Sequence, residues 1–390
     1  MSQQSFAELG VSAPIVDALA ARSIHEPFVI QELVLPDALA GLDVLARSPT
    51  GSGKTLAFAV PIVERMSASS AQPSALVLVP TRELAVQVTE ELEALARTKG
   101  LRVVAVYGGV PLRGQATRAK SAHIIVATPG RLEDLSQRRL IELGGIRTLV
   151  LDEADRMLDM GFQPQVDKIV RRLPRNRQTM FFSATLDGEA GELARAYTNS
   201  PSRFEAGLSK SQAPIEIEHR FVSVSADSKI EMLIEHINSS DGLTLVFVRT
   251  KRGASRLAQK LTRRGVDALE MHGDMSQRAR ERALDRFERG AVSTLIATDV
   301  AARGLDLDDV MHVINFDPPE DDKGYVHRTG RTGRAGRSGT AMTFVLPEQQ
   351  AETSRVASRL GHREQFEDAG LRTAPQKLLY TSRRGRRSKW

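Results

Sequence analysis

Cysteine is absent from the 390-residue sequence, which excludes disulfide bonds and thiolate metal sites. The sequence also lacks an apolar run long enough to cross a bilayer. Its first residues, MSQQSFAELG, lack the positive start and the apolar segment of a secretory signal. Together these absences favour a soluble, cytoplasmic protein without membrane contact.

Acidic residues are fewer than basic ones: the sequence has 48 aspartates and glutamates and 54 lysines and arginines, which gives a net charge of +6. The imbalance is concentrated in the last residues, RRGRRSKW (383–390), where five basic residues occur without an acid. Two interpretations of this tail stay open. It contacts a polyanion such as RNA, or it is a solvated chain end.

Short apolar runs rich in Val, Ile and Leu alternate with segments of helical periodicity along the chain. Continuous apolar strands between helices are typical of a parallel sheet that is covered on both faces. We therefore predict an α/β fold with two tandem domains, each a doubly wound, mostly parallel sheet. The predicted strands are 43–46, 75–79, 102–107, 123–128, 148–152 and 179–184, followed by 219–224, 244–248, 294–298, 311–316 and 340–346.

A segment rich in Ser, Pro and Gly, 199–214, separates the two halves and is interpreted as the connection between them. Two domains on a short tether predict a cleft for ligands. The predicted boundaries are an N-terminal domain over 1–206, a linker over 207–214, a C-terminal domain over 215–347 and an extension with the basic tail over 348–390.

A phosphate-binding loop follows the first predicted strand, in the stretch RSPTGSGKTLAF. Its glycines let successive backbone N–H groups point at phosphate oxygens, and the helix that begins there adds its positive end. Lys54 is placed to reach the outer phosphates, and Thr55 to hold Mg²⁺. The predicted nucleotide-binding residues of the loop are Ser48, Pro49, Thr50, Gly51, Ser52, Gly53, Lys54 and Thr55.

Three acids lie within four residues in LVLDEADRML (149–158), at the end of a predicted buried strand. Carboxylates this close repel one another unless a cation is near. Mg²⁺ on the nucleotide phosphates would be that cation, with Asp152 as its protein carboxylate. Glu153 is then placed to orient and deprotonate the attacking water. An acidic helix N-terminus is the alternative interpretation.

The stretch DEAD (152–155), together with the P-loop, resembles the DEAD-box ATP-dependent RNA helicases of the compact bacterial type, and the similarity extends over residues 5–347. The resemblance implies two RecA-like domains, ATP and Mg²⁺ as cofactors, a monomeric catalytic unit, and RNA bound without sequence preference. It also implies that SAT (183–185) joins hydrolysis to domain closure through Ser183 and Thr185, and that Asp155 takes part in this coupling.

The stretch PFVIQ (27–31) resembles the adenine-reading segment of the family. The Gln31 amide can pair with both N7 and N6 of adenine, a pattern that guanine does not offer, so it predicts ATP over GTP. Phe6 stands where the family has an aromatic residue on the base, and a core-anchoring role for Phe6 is equally open. The chain departs from the usual family residues at Phe28 (usually Thr), Ser48, Pro49 and Thr329.

PTRELAVQ (80–87), the glycine pair at 108–109, and TPGR (128–131) resemble RNA-contacting elements of the family. In PTRELA a strand end precedes a helix start, where backbone N–H groups suit a phosphate. TPGR follows the same logic, with Thr128 as a cap and the Pro-Gly pair as a turn; capping alone is the alternative for Thr81. The predicted RNA-contacting residues here are Pro80, Thr81, Arg82, Gly109, Thr128, Pro129, Gly130 and Arg131.

The stretch YVHRTGRTGRAGR (325–337) has an arginine at every third position, which is unfavourable unless an anion lies among them. The resemblance implies that Arg331 and Arg334 meet the γ-phosphate of ATP held by the first domain. It also implies that His327 and Arg328 contact the acids of that domain. A solvated basic loop and a second RNA patch are the alternatives.

Three further stretches of the second half resemble family elements. In ATDVAARGLD (297–306) the resemblance places Thr298 and Asp299 near RNA, and Gly304 and Asp306 near the nucleotide. FVRTK (247–251) and HGDMSQRAR (272–280) resemble further RNA-side elements, which contribute Arg249 and Gly273.

The predicted function is an RNA-stimulated ATPase and RNA helicase that binds single-stranded RNA across two domains and locally unwinds short duplexes. Each domain holds half of each ligand site, so the closed form is favoured when both ligands are present. An ATP-gated RNA clamp with slow hydrolysis and a DNA helicase on the same scaffold are alternatives. A P-loop enzyme unrelated to nucleic acid would leave the motifs of the second half unexplained.

Overall fold

The computed structural model describes residues 4–48, 52–186, 188–206, 217–302, 307, 309–333 and 338–374. The described residues up to 206 belong to one compact unit, and those from 217 onward belong to a second. In these ranges no helix is both long and apolar enough to traverse a lipid bilayer.

The N-terminal unit is built on a parallel sheet, for which the described residues supply seven strands in the order β3-β4-β2-β5-β6-β1-β7. Neighbours that are distant in sequence require crossover connections, and helices supply them. The strands are β1 Val44–Arg47, β2 Ala75–Leu78, β3 Val103–Val106, β4 Ile124–Ala127, β5 Thr148–Leu151, β6 Gln178–Ser183 and β7 Ser202–Glu205.

The helices of this unit cover both faces of the sheet. The α-helices are α1 Ala13–Ala20, α2 Val29–Ala40, α3 Lys54–Glu64, α4 Arg82–Ala96, α5 Leu112–Lys120, α6 Pro129–Gln137, α7 Ala154–Asp159, α8 Gln163–Val170 and α9 Gly188–Tyr197, and a 3₁₀ turn spans Arg97–Lys99.

Alternate residues of the central strands enter two different hydrophobic clusters. Ala75 and Val77 of β2 pack into one cluster, which also contains Phe58 of α3. Leu76 and Leu78 pack into the other, on the opposite face. Successive side chains of a strand point to opposite faces, so a strand that is covered on both sides must be apolar throughout. This requirement explains the continuous apolar runs of the sequence.

The C-terminal unit repeats the plan with a parallel sheet, in which the described residues form six strands in the order β10-β11-β9-β12-β13-β8. The strands are β8 Ile217–Ser223, β9 Leu243–Phe247, β10 Ala268–Met271, β11 Thr294–Ala297, β12 Val310–Asn315 and β13 Gly339–Val345. The helices are α10 Lys229–Ser239, α11 Lys251–Arg263, α12 Gln277–Glu288, α13 Asp299–Ala302, α14 Asp322–Thr329, α15 Gln350–Arg359 and α16 Arg363–Asp368, with a 3₁₀ turn at Pro347–Gln349.

The two parallel, helix-covered sheets confirm the predicted fold class. The structure also contains two strands that were not among the predicted ones, β7 and β10. β7 lies inside the segment 199–214 that was interpreted as a connection, so part of that segment is an edge strand paired with β1. Its side chains alternate between half-buried and exposed, which explains why no apolar run marks it. The predicted linker, 207–214, lies outside the described residues.

The helices after β13 dock on the second unit through a cluster of aromatic and histidine rings. Tyr325 of α14, Phe221 of β8 and Phe366 of α16 are buried together. The His219 ring stacks on His362 with 3.8 Å between ring centroids, and His219 Nδ1 lies 2.9 Å from the Tyr325 hydroxyl oxygen. Burial, and secondarily the neighbouring His362, lower the pKa of His219 to about 4. The cluster therefore favours neutral histidine.

We predict that this cluster makes the stability of the protein depend on pH. In the unfolded chain His219 titrates near 6.5, so the unfolded state binds the extra proton as the pH falls from 6.5 toward 4. Stability is fully present above pH 6.5 and decreases through that window. After allowance for partial exposure, the loss between pH 7 and pH 5 is about 1 kcal/mol.

The measurement is urea unfolding of the wild type and of His219→Gln at pH 7 and pH 5. The glutamine cannot become charged, and its amide can still bond to the Tyr325 hydroxyl. The wild type should lose more stability than the variant between the two pH values. Equal losses would show that His219 does not contribute to the acid sensitivity.

Candidate nucleotide and RNA sites

The described residues of the P-loop, DEAD and SAT motifs lie at one edge of the first sheet. Ser48 follows β1, Ser183 ends β6 and Asp152 follows β5, and these three strands are neighbours in the sheet. The carboxyl ends of parallel strands share one edge, where α/β proteins bind their ligands. Lys54 and Thr55 begin α3 directly above the end of β1. The sheet order thus gathers residues that are more than a hundred positions apart.

The lysine of the P-loop is buried and engaged. Lys54 is 7% exposed, and its Nζ donates a hydrogen bond to the Ser48 carbonyl oxygen at 3.1 Å. The Ser48 N–H donates to the Ser183 carbonyl oxygen at 3.0 Å, and the Ser48 and Ser52 hydroxyls are hydrogen-bonded to each other. A phosphate oxygen would replace the Ser48 carbonyl as the acceptor of the lysine. Pro49, Thr50 and Gly51 lie outside the described residues.

Gly53 occupies a position that only glycine can fill. Its φ is +84°, and a Cβ there would lie 2.4 Å from Phe28 Cδ2 and 2.6 Å from Gln31 Nε2. The Gln31 Nε2 donates to the Gly53 carbonyl oxygen at 2.8 Å, while Gln31 Oε1 accepts from the Phe28 N–H at 3.0 Å. The adenine-reading segment and the P-loop are therefore joined by direct contacts.

Gln31 and Phe6 are more enclosed than the sequence suggested. Gln31 is 1% exposed, and each end of its amide already makes one hydrogen bond, which leaves one N–H and one lone pair for a base. Phe6 is 2% exposed and belongs to the hydrophobic cluster with α1, α2 and α3. The position of Phe6 favours its core-anchoring interpretation.

The acidic residues after β5 form a compact buried group. Asp152 is 3% exposed, and its Oδ1 accepts from the Glu153 N–H at 2.9 Å. The Glu153 carboxylate accepts from Arg156 Nη1 at 2.6 Å, and both side chains are buried. Burial raises the pKa of Asp152 to about 6, and the nearby Lys54 charge opposes that rise. A cation at Asp152 would therefore stabilise its charged form.

The backbone at Glu153 is in a rarely populated conformation. Its φ of 52° and ψ of 47° are left-handed, which is unfavourable for a residue with a side chain and is found preferentially at functional sites. Glu153 is the residue before α7, which begins at Ala154. Asp155, in the first turn of α7, accepts the Arg156 N–H at 3.0 Å.

The coupling residues Ser183 and Thr185 lie at the end of β6, next to the P-loop strand. Ser183 is fully buried, and the Thr185 N–H donates to its hydroxyl at 3.4 Å. The Ser183 carbonyl oxygen accepts from Ser48, as described above. SAT is thus hydrogen-bonded to the first residue of the predicted P-loop, and its coupling role stays a prediction.

The RNA-side residues of the first unit gather at the other half of the sheet edge, after β2, β3 and β4. A Cβ on Gly109, whose φ is +87°, would lie 2.4 Å from an Arg82 guanidinium nitrogen. Arg131 donates from Nη1 to the Val110 carbonyl oxygen at 3.0 Å and to Gln115 Oε1 at 2.8 Å. Burial lowers the pKa of Arg131, and the nearby Arg82 charge adds to this effect. Two guanidinium groups thus converge at the glycine pair.

Capping around this surface differs from the expectation for TPGR. The Thr81 hydroxyl accepts from the Leu84 N–H at 3.3 Å, so Thr81 caps α4, and Pro80 precedes it. Thr128 is the residue before α6, but its hydroxyl makes no capping hydrogen bond. Pro129 and Gly130 do not form a turn; they are the first residues of α6, where proline is well tolerated. No atom lies within 4 Å of a Cβ built on Gly130, so the surface is open there.

The RNA-side residues of the second unit follow three adjacent strands, β10, β11 and β9. Gly273 follows β10, and Thr298 follows β11 with its N–H donating to the Met271 carbonyl oxygen at 3.3 Å. Arg249 follows β9, and its backbone N–H donates to Asp317 Oδ2 at 2.9 Å. The second sheet thus repeats the grouping found in the first.

Arg328 is paired with side chains and carbonyl groups of its own unit. Its Nε and Nη2 donate to the two carboxylate oxygens of Asp299 at 2.6 and 2.8 Å. Its Nη1 donates to Asn315 Oδ1 and to the Asp317 carbonyl oxygen. Four of the five N–H groups of the guanidinium are used inside the second unit. The implied contact of Arg328 with the acids of the first domain stays a prediction. The pair also neutralises Asp299 beside the predicted RNA surface.

Of the other arginines in the stretch 325–337, the structure describes Arg331. Arg331 is 3% exposed, and its Nε donates to the His327 carbonyl oxygen at 3.3 Å. His327 lies on α14 and is half-buried. Arg334, Gly304 and Asp306 lie outside the described residues.

Two functional candidates escaped the sequence reasoning. Arg156 on α7 pairs with Glu153. Arg156 comes three positions after Glu153, and this spacing in the sequence indicates that the two side chains can pair. Asp317 accepts from Arg249, from Lys229 Nζ at 3.0 Å and, through its carbonyl, from Arg328. It comes after β12 and has no motif in the sequence around it.

Comparison with known families agrees with this arrangement. The model of the DEAD/DEAH box helicase family matches residues 28–193, and the model of the helicase conserved C-terminal domain matches residues 228–336. The DEAD-box ATP-dependent RNA helicase CshA of Geobacillus kaustophilus is 42% identical over 347 residues, which cover 88% of this chain and 74% of that protein. CshA of Bacillus subtilis is 41% identical over 350 residues, covering 89% of this chain and 70% of that protein.

Solved structures with the same fold include Saccharomyces cerevisiae Dbp5 bound to RNA and ADP BeF3, with 31% identity, a TM-score of 0.80 and coverage of 95% of both chains. Mss116p bound to single-stranded RNA and AMP-PNP has 26% identity, a TM-score of 0.79 and coverage of 94% of this chain and 78% of that one. The chain therefore belongs to the family of DEAD-box ATP-dependent RNA helicases, as the sequence resemblance predicted.

Proposed function

We propose that this protein hydrolyses ATP at the P-loop, holds single-stranded RNA at the neighbouring sheet edge, and uses the two events together to open short duplexes locally. The observation that carries the proposal is the division of one sheet edge. The residues that we propose for the nucleotide follow β1, β5 and β6, while those that we propose for RNA follow β2, β3 and β4. Adjacent sites on one rigid sheet allow each ligand to affect the other.

We propose that Lys54 binds the outer phosphates and that Thr55 and Asp152 are the protein ligands of Mg²⁺. The donor set suits this ion, because Mg²⁺ takes few protein ligands and completes its shell with water and phosphate. In the described ranges no group of three or more acidic or histidine side chains is placed to hold a metal ion. When bound, Mg²⁺ would offset charge on the phosphates.

Glu153 is the proposed base that orients and deprotonates the attacking water. Its bond to Arg156 fixes the carboxylate and keeps a cation beside it in a buried site. The left-handed backbone at Glu153 aims the side chain independently of the strand before it. Arg156 is thus proposed as a positioning residue for Glu153.

On the RNA side, we propose that Arg82 and Arg131 contact phosphates while backbone N–H groups at the starts of α4 and α6 add neutral donors. The open space beside Gly130 leaves room for an RNA backbone. Arg249, Gly273, Thr298 and Asp299 form the proposed continuation on the second unit. The relatives Dbp5 and Mss116p bind RNA in their solved structures, which supports this assignment.

We further propose that Arg331 and Arg334 approach the γ-phosphate when ATP is bound, with His327 beside them. The proposed domain boundaries remain those at 206/207, 214/215 and 347/348. A monomeric catalytic unit and a cytoplasmic location complete the proposal, since cytoplasm supplies both ATP and RNA.

The test of the function is the steady-state ATPase rate without nucleic acid, with single-stranded RNA, and with single-stranded DNA of the same sequence. RNA should raise the rate at least about tenfold, because the closed form needs both ligands. DNA should have a much smaller effect. Strand separation of a short RNA duplex is measured in parallel. Stimulation by DNA alone, or ATP turnover without strand separation, would contradict the proposal.

We predict that Arg156→Met lowers kcat of the RNA-stimulated ATPase about 10²-fold and changes the KM for ATP by less than about threefold. The methionine keeps the volume but leaves the buried Glu153 carboxylate without its partner. Arg156→Lys, which keeps the charge, should recover part of the rate.

The matched control is Lys168→Met, which removes an ion pair with Glu133 in the same unit, with the lysine half exposed. Its rate should stay at the wild-type value, because exposed pairs contribute little. Melting curves identify any variant that fails to fold. A folded Arg156→Met protein with normal kcat would reject the positioning role of Arg156.

A further inference from the structure

The Phe28 side chain is unusually exposed for its position at the P-loop. It is 52% exposed, and within the described ranges it is the one aromatic residue among the large apolar side chains that face solvent. It stands directly before α2, where a hydroxyl or carboxylate would normally cap the helix, and a phenyl ring cannot accept that hydrogen bond. Helix capping therefore does not explain a phenylalanine here.

The exposed ring lies against the phosphate-binding loop. The point where a Gly53 Cβ would stand is 2.4 Å from Phe28 Cδ2 and 3.2 Å from Phe28 Cγ. One edge of the ring is therefore in contact with the backbone of the last glycine before Lys54. The other part of its surface remains in water, next to the proposed phosphate site.

The same point brings the ring together with the Gln31 amide. Gln31 Nε2 is 2.6 Å from the Gly53 Cβ position, and Gln31 Oε1 accepts from the Phe28 N–H. Of these two side chains only the ring has surface in water, since Gln31 is 1% exposed. The ring therefore offers stacking area next to the amide that the sequence predicts to read the base edge.

The other aromatic candidate for this contact is occupied elsewhere. Phe6 is packed inside the hydrophobic cluster of the first unit and offers almost no surface to a ligand. Covering an exposed phenyl ring with a purine removes apolar area from water on both partners. Phe28 is therefore better placed than Phe6 to supply this contact.

We propose that Phe28 packs against the adenine base of bound ATP and sets the affinity for the base. The proposal rests on the proposed function, since it needs ATP at the P-loop. It assigns the base contact to Phe28 and leaves the phosphate contacts to Lys54. The two parts of the site can therefore be separated by ligands with and without a base.

The experiment measures dissociation constants for Mg-ATP and for Mg-tripolyphosphate, which has the phosphates but no base, by calorimetry. Phe28→Thr should weaken ATP binding about three- to tenfold and leave tripolyphosphate binding unchanged. Phe28→Tyr, which keeps the ring, should bind ATP within about twofold of the wild type. The matched control is Leu33→Ala on the same helix, another exposed apolar side chain, which should change neither constant.

The outcomes separate the base contact from other roles of the ring. Unchanged or tighter ATP binding by Phe28→Thr would overturn the proposal, since the ring would then make no favourable contact with the base or would hinder its binding. Equal weakening of both ligands would also overturn it, because the ring would be acting on the shape of the P-loop. A wild-type protein that binds neither ligand would reject the proposed function itself, and the base contact with it.

Discussion

The nucleotide site depends on one buried ammonium group held between the ends of two strands. Lys54 donates to the Ser48 carbonyl oxygen after β1, and its charge acts on the Asp152 carboxylate after β5. A buried charge is unfavourable unless it is paired, so the lysine needs oxygen atoms around it. These oxygens come from residues that converge only because parallel strands end at the same edge of the sheet.

The order of the strands determines which of the other proposed contact residues lie next to one another. In both units, three adjacent strand ends carry the proposed RNA residues, and in the first unit the ends of β5, β6 and β1 carry the proposed nucleotide residues. SAT at the end of β6 touches the P-loop through the bond between Ser48 and Ser183. In the second unit Arg328 ties the arginine-bearing helix α14 to Asp299, at the RNA side. Each unit therefore has a direct physical connection between the elements proposed for its two ligands.

The fold, and the placement of the P-loop and DEAD motifs at the ends of parallel strands, were predictable because both depend on local patterns. Doubly covered strands must be apolar throughout, and the P-loop needs glycine and lysine at fixed spacing. β7 was not predicted because its side chains alternate between half-buried and exposed, so this edge strand has no continuous apolar run. The pair between Glu153 and Arg156 was missed although their spacing of three positions indicates it. The Asp299 partner of Arg328 was not predictable, because an arginine near several acids can pair with any of them and only tertiary packing selects one. The same holds for Phe28, whose contact with Gly53 joins two segments far apart in sequence.

The central claim is that ATP and RNA act on the two units together, and energy transfer between them tests it most directly. Because the chain has no cysteine, Glu90→Cys on α4 and Gln259→Cys on α11 would introduce two exposed labelling sites, one per unit. The account predicts that transfer efficiency changes cooperatively when single-stranded RNA and a non-hydrolysable ATP analogue are both present, and hardly at all with either one. A full change with one ligand alone, or no change with both, would contradict it.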